Sequence, residues 1–335
     1  RIFFTSKFLH SNSNKENPTL KVIFFTNWHF LFLSLKIAHM KEVIIQANDA
    51  NQRLDKFLQK TFPNLSKSMM YKGIRKKKIK VNRKRCSFDQ VLEEGDSILL
   101  FLPPEFLEEK VRKVSSGSDA LDIVYEDANL LILHKPVGLL SQSDGSNADC
   151  LVDRMQRYLI KKGEYSLAEH SFSPAICQRL DRNTEGLVIG AKNADTLRTI
   201  NTAIAQRKVK KIYQAECCGH ISKPVEMNYY IKKVGTKAMV SKTKKEGYQE
   251  AKMDLIPLAY TNDSTFVEVH LHTGRFHQIR ALCASIGHPL VGDHKYGYKG
   301  EKKGYHLIAM QLNLEAVDLD LPQKIFTIPG LVRKM

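Results

Sequence analysis

Three shortages shape this 335-residue sequence. Its six cysteines, at 86, 150, 177, 217, 218 and 283, include no Cys-x-x-Cys pair. That excludes a zinc ribbon and argues against a disulfide frame, leaving reduced intracellular thiols. Acid is scarce: 35 Asp plus Glu stand against 52 Lys plus Arg, a formal charge of +17 with pI near 9.5. The shortage is sharpest from Ser66 to Ser87, where no acid interrupts ten basic residues: Lys67, Lys72, Arg75, Lys76, Lys77, Lys78, Lys80, Arg83, Lys84 and Arg85. Such an excess points to a polyanionic partner, nucleic acid first. No convincing membrane span is present either. The apolar run Val22 to Ala38 is short, is interrupted by Asn27, His29 and Lys36, and has no clear small-residue cleavage site. With the first methionine at Met40, residues 1–39 are expected to be non-native or disordered sequence upstream of the fold.

The length leaves room for two domains. Residues 41–102 read as a compact unit. Leu54, Phe57, Leu58 and Phe62 fall at helical spacing and Pro63 ends the helix, while Ser66 is placed to cap a second helix carrying Met69, Met70 and Ile74. Lys78 to Asn82 and Ser97 to Phe101 read as strands. The basic run therefore falls on the second helix and first strand of a folded αα-β unit. Residues 103–119 read as a linker, and a larger domain over 120–335 opens with a hairpin of Leu121 to Glu126 and Leu130 to His134. Lys135-Pro136-Val137-Gly138 reads as a turn, and Leu151, Val152, Met155, Leu159 and Ile160 as the core stripe of a helix.

The densest chemistry runs from Gln178 to Asn193. Asp181 sits between Arg179 and Arg182, and Thr184, Glu185 and Gly186 lead into Leu187-Val188-Ile189, a buried strand by its apolar, β-branched character. Flanking cations favour the ionised carboxylate, which suits a nucleophile handling a phosphate-bearing substrate. An ion-pair cluster in a loop fits the same residues. Farther on, Tyr213 follows Lys211 at the start of a strand, where tyrosine is also an ordinary half-buried residue. Val267, Val269 and Leu271 alternate along another strand, then Thr273-Gly274 turns into a helix bearing Ile279, Leu282, Cys283 and Ile286. Arg275, His277 and Arg280 at the start of that helix make a positive site for a phosphate or a partner carboxylate.

Taken together, Arg179-Leu180-Asp181-Arg182-Asn183-Thr184-Glu185-Gly186-Leu187, Lys211-Ile212-Tyr213 and Thr273 through Arg280 with Ile286 to Asp293 and Lys295-Tyr296-Gly297 resemble, in order, the motifs of the RluA/RluC/RluD family of RNA pseudouridine synthases. Gln178 stands where that family usually has His, Glu185 where it has Ser, and Phe276 where it has a small polar residue. The 41–102 unit resembles the alpha-L (ribosomal S4-like) RNA-binding domain many members carry. The resemblance spans about Gln46 to Leu321. It implies an α+β fold: a mixed, mostly antiparallel sheet flanked by helices and loops, with the small basic domain in front. It also implies an isomerase that needs no cofactor and no metal. Asp181 is the implied nucleophile, Arg280 its salt-bridge partner, and Tyr213 a residue that packs on the base and handles protons. Arg179, Arg182, Thr184, Arg275 and His277 are the implied substrate contacts, with Arg179 filling the gap left by a flipped nucleotide. Lys67, Lys72, Arg75, Lys76, Lys78, Lys80, Arg83 and Lys84 are expected to grip RNA backbone. The expected partner is RNA, ribosomal before transfer RNA, met in the cytoplasm by a monomer without membrane contact. Two other classes fit some of the residues. A glycoside hydrolase would pair Asp181 with Glu185, and a non-catalytic RNA-binding protein would need neither.

Overall fold

The computed structural model describes residues 40–110, 114–146 and 148–331; the apolar run 22–38 lies outside them. The first unit has four strands, β1 (Met40–Ile44), β2 (Ile79–Val81), β3 (Lys84–Arg85) and β4 (Ser97–Phe101), in the order β1-β4-β2-β3. Helix α1 (Leu54–Thr61) buries Leu54, Phe57 and Leu58, and Phe62 closes it. Helix α2 (Lys67–Arg75) starts where Ser66 Oγ accepts from the Met69 N–H at 3.3 Å, satisfying one of the donors a helix start leaves open. Its stripe of Met70, Gly73 and Ile74 faces the same core, so the basic residues are left on the outside. Asn82 and Arg83 both take positive φ in the tight turn between β2 and β3, a turn whose twist matches that of the strands. Strand β1 was not legible in the sequence, because Met40 to Ile44 alternates weakly and only Val43 is buried.

The chain after Phe101 stays packed at first: Leu107 joins the core of the first unit, and Lys110 donates to the Thr61 carbonyl.

The second unit is built on an eleven-stranded sheet. Its strands are β5 (Asp122–Glu126), β6 (Leu130–Lys135), β7 (Ala175–Ile176), β8 (Glu185–Ala191), β9 (Lys210–Cys218), β10 (Val225–Val234), β11 (Lys237–Ser241), β12 (Gln249–Tyr260), β13 (Ser264–Leu271), β14 (Leu307–Asn313) and β15 (Ile325–Thr327). The main order is β11-β10-β12-β13-β9-β14-β8-β6-β5, with β15 on β14 and β7 on β8. Only β8 and β14 pair in parallel, so the sheet is mixed and mostly antiparallel. Helices α3 (Leu151–Lys162), α4 (Ala194–Ala205) and α5 (Gln278–Ser285) complete it. On α3 the buried stripe is Leu151, Met155 and Leu159, one residue per turn, while Ile160 is exposed. Two clusters of buried apolar side chains pack against the sheet, one including Val188, Tyr213 and Val267, the other Leu187, Ile189 and Phe326. Strand β8 is therefore covered on both faces, which is why its sequence is an unbroken apolar run.

Candidate active site

Asp181 occupies the loop that enters β8, and three elements fix that loop. Lys135, at the end of β6 and fully buried, donates to the carbonyls of Pro136 at 2.9 Å, Leu139 at 2.9 Å and Arg182 at 3.1 Å. Burial pulls its ammonium down to about 8, against the opposing charges of Asp181 and Glu185. Gly138, at φ 88, donates to the Arg182 carbonyl at 2.8 Å and accepts from Arg182 Nε at 3.0 Å. Ser141 Oγ donates to the Leu180 carbonyl at 2.6 Å and accepts from the Leu180 N–H at 3.0 Å. The Lys-Pro-Val-Gly turn thus buttresses the loop that carries Asp181.

The nitrogen donors that face Asp181 come from the start of α5 and its cap rather than from its sequence neighbours. Arg280 Nη1 lies 3.3 Å and His277 Nε2 3.6 Å from Asp181 Oδ2. Neither Arg179 nor Arg182 forms an ion pair with it among the described residues. Adjacent side chains on a tight loop diverge, and Arg182 is held by the Gly138 carbonyl. Arg280 makes its stronger pairing elsewhere: Nε and Nη2 bind both oxygens of Asp293, at 2.7 and 2.9 Å. Burial is the largest single influence and works against the charge of Arg280, but the Asp293 hydrogen bonds together with the charges of Asp293 and Asp181 and the Tyr305 phenol raise the guanidinium above its ordinary value. The guanidinium carbon also sits 4.3 Å above the Tyr305 ring and 5.1 Å above that of Tyr296. A fork clamped this way presents Nη1 to Asp181 in one geometry.

His277 caps α5 in the left-handed region at φ 52. The Ala238 N–H donates to Tyr296 Oη at 2.8 Å, so the Tyr296 hydroxyl is free to donate to His277 Nδ1 at 2.9 Å. That bond places the imidazole proton on Nε2, toward Asp181. Burial lowers His277 to about 4, with Arg280 and Lys295 assisting, so it is a neutral donor at pH 7. Gln278 sets the turn before it: Oε1 accepts from Thr273 Oγ1 at 2.8 Å and from the Arg275 N–H at 3.0 Å.

Around these groups opens a cavity of about 780 Å³. Arg179, Arg182, Arg207, Lys211, Lys233 and Arg275 contribute to its lining, as do Thr184, Tyr213 and Phe276. Arg179 and Arg275 are exposed, whereas Thr184 is buried. Tyr213 is buried on β9; burial and the charge of Asp181 both push its phenol well above the ordinary value, so it stays protonated. Glu185 does not line the cavity and instead meets His134 Nε2 at 3.0 Å, so the Asp181–Glu185 pair that a glycoside hydrolase would use is not formed there. Among the described residues no three His, Cys, Asp or Glu side chains converge as a metal site requires. Asp293, Tyr296, Tyr305, Gln278 and Lys135 are site residues that the sequence did not single out. Gln278, Asp293 and Tyr296 lie within the third motif and Lys135 within the turn motif, whereas Tyr305 carried no signal.

Residues 129–285 match the family model described as RNA pseudouridylate synthase, and residues 52–98 that of the S4 domain. An RNA pseudouridine synthase of Mycoplasma capricolum is 32% identical over 293 residues, covering 83% of this chain and 93% of that protein. The chain belongs to the RNA pseudouridine synthase family. Like the Mycoplasma protein, ribosomal large subunit pseudouridine synthase C of Vibrio cholerae matches the synthase along most of its length, 28% identical over 87% of this chain and 90% of its own. The fold agrees with that of human RNA pseudouridylate synthase domain containing 4, at a TM-score of 0.51 and 22% identity over 62% of this chain and 88% of that one. The synthase is thus an isomerase with an N-terminal S4 unit and a mixed-sheet catalytic unit, as its motifs implied.

Proposed function

We propose that the synthase converts uridine to pseudouridine in ribosomal RNA, most readily that of the large subunit, with Asp181 as nucleophile. The observation that carries this is the convergence of Arg280 Nη1 and His277 Nε2 on one oxygen of Asp181 at the edge of a cavity with a cationic lining. The large-subunit target is supported by relatives named for that RNA, and the reaction takes place in the cytoplasm, where ribosomal RNA is made.

The isomerisation breaks the bond from N1 to the ribose C1′ and forms one from C5 to C1′. The C5 proton leaves, N1 gains a proton, and nothing is oxidised. A base inside a helix cannot reach Asp181, so the nucleotide is extruded into the cavity at a cost of a few kcal/mol. Phosphate contacts from Arg182 and Arg275 and from the S4 unit offset that cost, and Arg179, exposed and without an ion pair, fills the gap in the stack. Asp181 attacks C1′ or C6, its free oxygen held in line by Arg280. His277, neutral, turns its Nε2 toward the carboxylate at 3.6 Å and adds no competing charge. Tyr213 packs against the base; a phenol held protonated suits packing better than unaided removal of the C5 proton.

The test is incubation of the purified protein with unmodified bacterial large-subunit ribosomal RNA, followed by pseudouridine mapping, with Asp181→Asn alongside. New pseudouridine at one or a few sites, absent with the variant while RNA binding persists, is the expected result. Equal activity of the variant would remove Asp181 as nucleophile. Product only on transfer RNA or small-subunit RNA would reassign the substrate.

A further inference from the structure

The S4 unit and the catalytic unit are joined by more than the intervening chain. The turn Ala47–Asp49 ahead of α1 lies against the catalytic unit. Asp49 is 1% exposed, and its Oδ1 accepts from the Ser171 N–H at 2.9 Å and from the Ser171 hydroxyl. Gln52 Nε2 completes that hydroxyl by donating to it at 2.8 Å. Asn48 Oδ1 accepts from the Ala194 N–H at 3.1 Å, taking a donor left open at the start of α4, and its amide donates to Glu169 at 3.0 Å. On the other side of α1, His170 meets Glu109 at 3.0 Å and stands edge-on to Phe57, with ring centres 6.4 Å apart.

Two features set this contact apart from incidental touching. Asp49 forms no ion pair within 4 Å among the described residues, so a buried carboxylate depends for its solvation on one loop of the other unit. The Ser171 N–H and hydroxyl replace the water this carboxylate gives up on docking, and those hydrogen bonds require one relative placement of the two units. None of Asn48, Asp49, Ser171 and Ala194 belongs to a motif that builds the Asp181 cavity. Yet α4, whose first N–H Asn48 takes, runs 12 residues to the cavity edge, where Ile204, Ala205 and Arg207 line the wall. At 1.5 Å per residue, the clasp and the cavity stand about 18 Å apart along one rigid element.

We propose that Asp49 and Asn48 are positioning residues that hold the S4 unit at a fixed offset from the cavity, so that the synthase selects its uridine by distance from the RNA segment the S4 unit grips. The proposal rests on the cavity being where the uridine reacts. A freely tethered S4 unit would raise affinity through effective concentration without choosing among nearby uridines, whereas a docked one selects among them.

The experiment compares the full chain with Asp49→Ala, Asp49→Asn and Asn48→Ala on unmodified large-subunit ribosomal RNA. It maps pseudouridine at every site, measures KM and kcat, and records small-angle scattering of the free proteins. For Asp49→Ala the expected result is a KM raised about tenfold with kcat unchanged, pseudouridine at neighbouring uridines that the wild type leaves alone, and a larger radius of gyration. Asp49→Asn, which keeps an oxygen for the Ser171 N–H, should fall between, and Asn48→Ala should shift the site distribution the same way. A wild-type site distribution and KM in both alanine variants would overturn the proposal, as would a fall in kcat alone. If the wild type modifies no RNA, the reading of the cavity fails, and scattering still decides the clasp: identical profiles for wild type and Asp49→Ala would overturn it.

Discussion

At the residue scale, the three departures from the family motifs each have a local partner. Gln178 Oε1 accepts from the Ile189 N–H at 3.4 Å, tying the loop to β8, although its Nε2 is buried without a partner. Glu185 takes His134, and Phe276 stacks on His277 with centres 3.8 Å apart while Lys233 stands 4.8 Å from its ring centre. None disturbs the contacts of Asp181. The pairing that governs Arg280 is with Asp293, so Asp293→Ala should cost about 3–5 kcal/mol by denaturant unfolding, because it leaves a buried guanidinium with a single long ion pair, to Asp181. The same variant should lower kcat at least about tenfold, since the fork is no longer aimed. His277 gives a signed pH effect. Its pKa falls from 6.5 to about 4 on folding, so between those values the unfolded chain binds more protons and stability declines as pH falls. Its contribution is complete above pH 6.5 and lost as pH drops through about 4. Thermal melts of wild type and His277→Gln should therefore converge on acidification across that window; parallel curves would contradict a neutral, buried His277.

At the scale of elements, the site depends on how β8 meets β14. Gly186 sits at φ 127, and a Cβ there would lie 2.4 Å from the Ala309 carbonyl oxygen and 2.5 Å from its nitrogen. Both obstacles are backbone and the conformation is left-handed, so no rotamer change relieves them. Gly186→Ala should lose at least about 2 kcal/mol and release the Asp181 loop; urea unfolding with an unchanged midpoint would show that β14 yields. The core stripes of α1 and α2 were legible from spacing because each has one apolar face, whereas α5 is buried along all of Gln278 to Cys283, polar residues included. The close approach of β8 and β14 was not, since the partner of Gly186 lies 123 positions away in a segment with no motif. Strand β1 escaped for a related reason: it is an edge strand with little buried surface to pattern it.

For the whole molecule, the charge of +17 divides unevenly. The residues Lys67, Lys72, Arg75, Lys76, Lys78, Arg83 and Lys84 are exposed on the S4 unit, while Lys80 is half-buried with its amine 5.7 Å from the Phe101 ring centre. None of them is ion-paired among the described residues. RNA affinity should fall steeply with salt, by roughly 10³-fold or more between about 50 and 200 mM if six or more phosphates are neutralised. Replacing Lys72 and Arg75 by alanine should reduce the logarithmic slope by about 2. A flat dependence would contradict backbone gripping by this surface.

Sequence alone determined the family, the basic character of the first unit, the catalytic candidates and the type of most elements. Those follow from spacing and local chemistry: helix stripes, strand runs, a cap and short motifs are written within a few residues of one another. Tertiary structure alone decided which charge meets which. Arg179 and Arg182 flank Asp181 in the chain yet form no ion pair with it among the described residues, whereas Arg280, 99 positions on, reaches it and is itself clamped by Asp293. The same holds for Lys135 under the loop, for Tyr296 behind His277 and for Asp49 against Ser171. Ion pairs and hydrogen bonds act over a few ångströms of space, and it is the packing of the sheet and α5 that brings those atoms within that range.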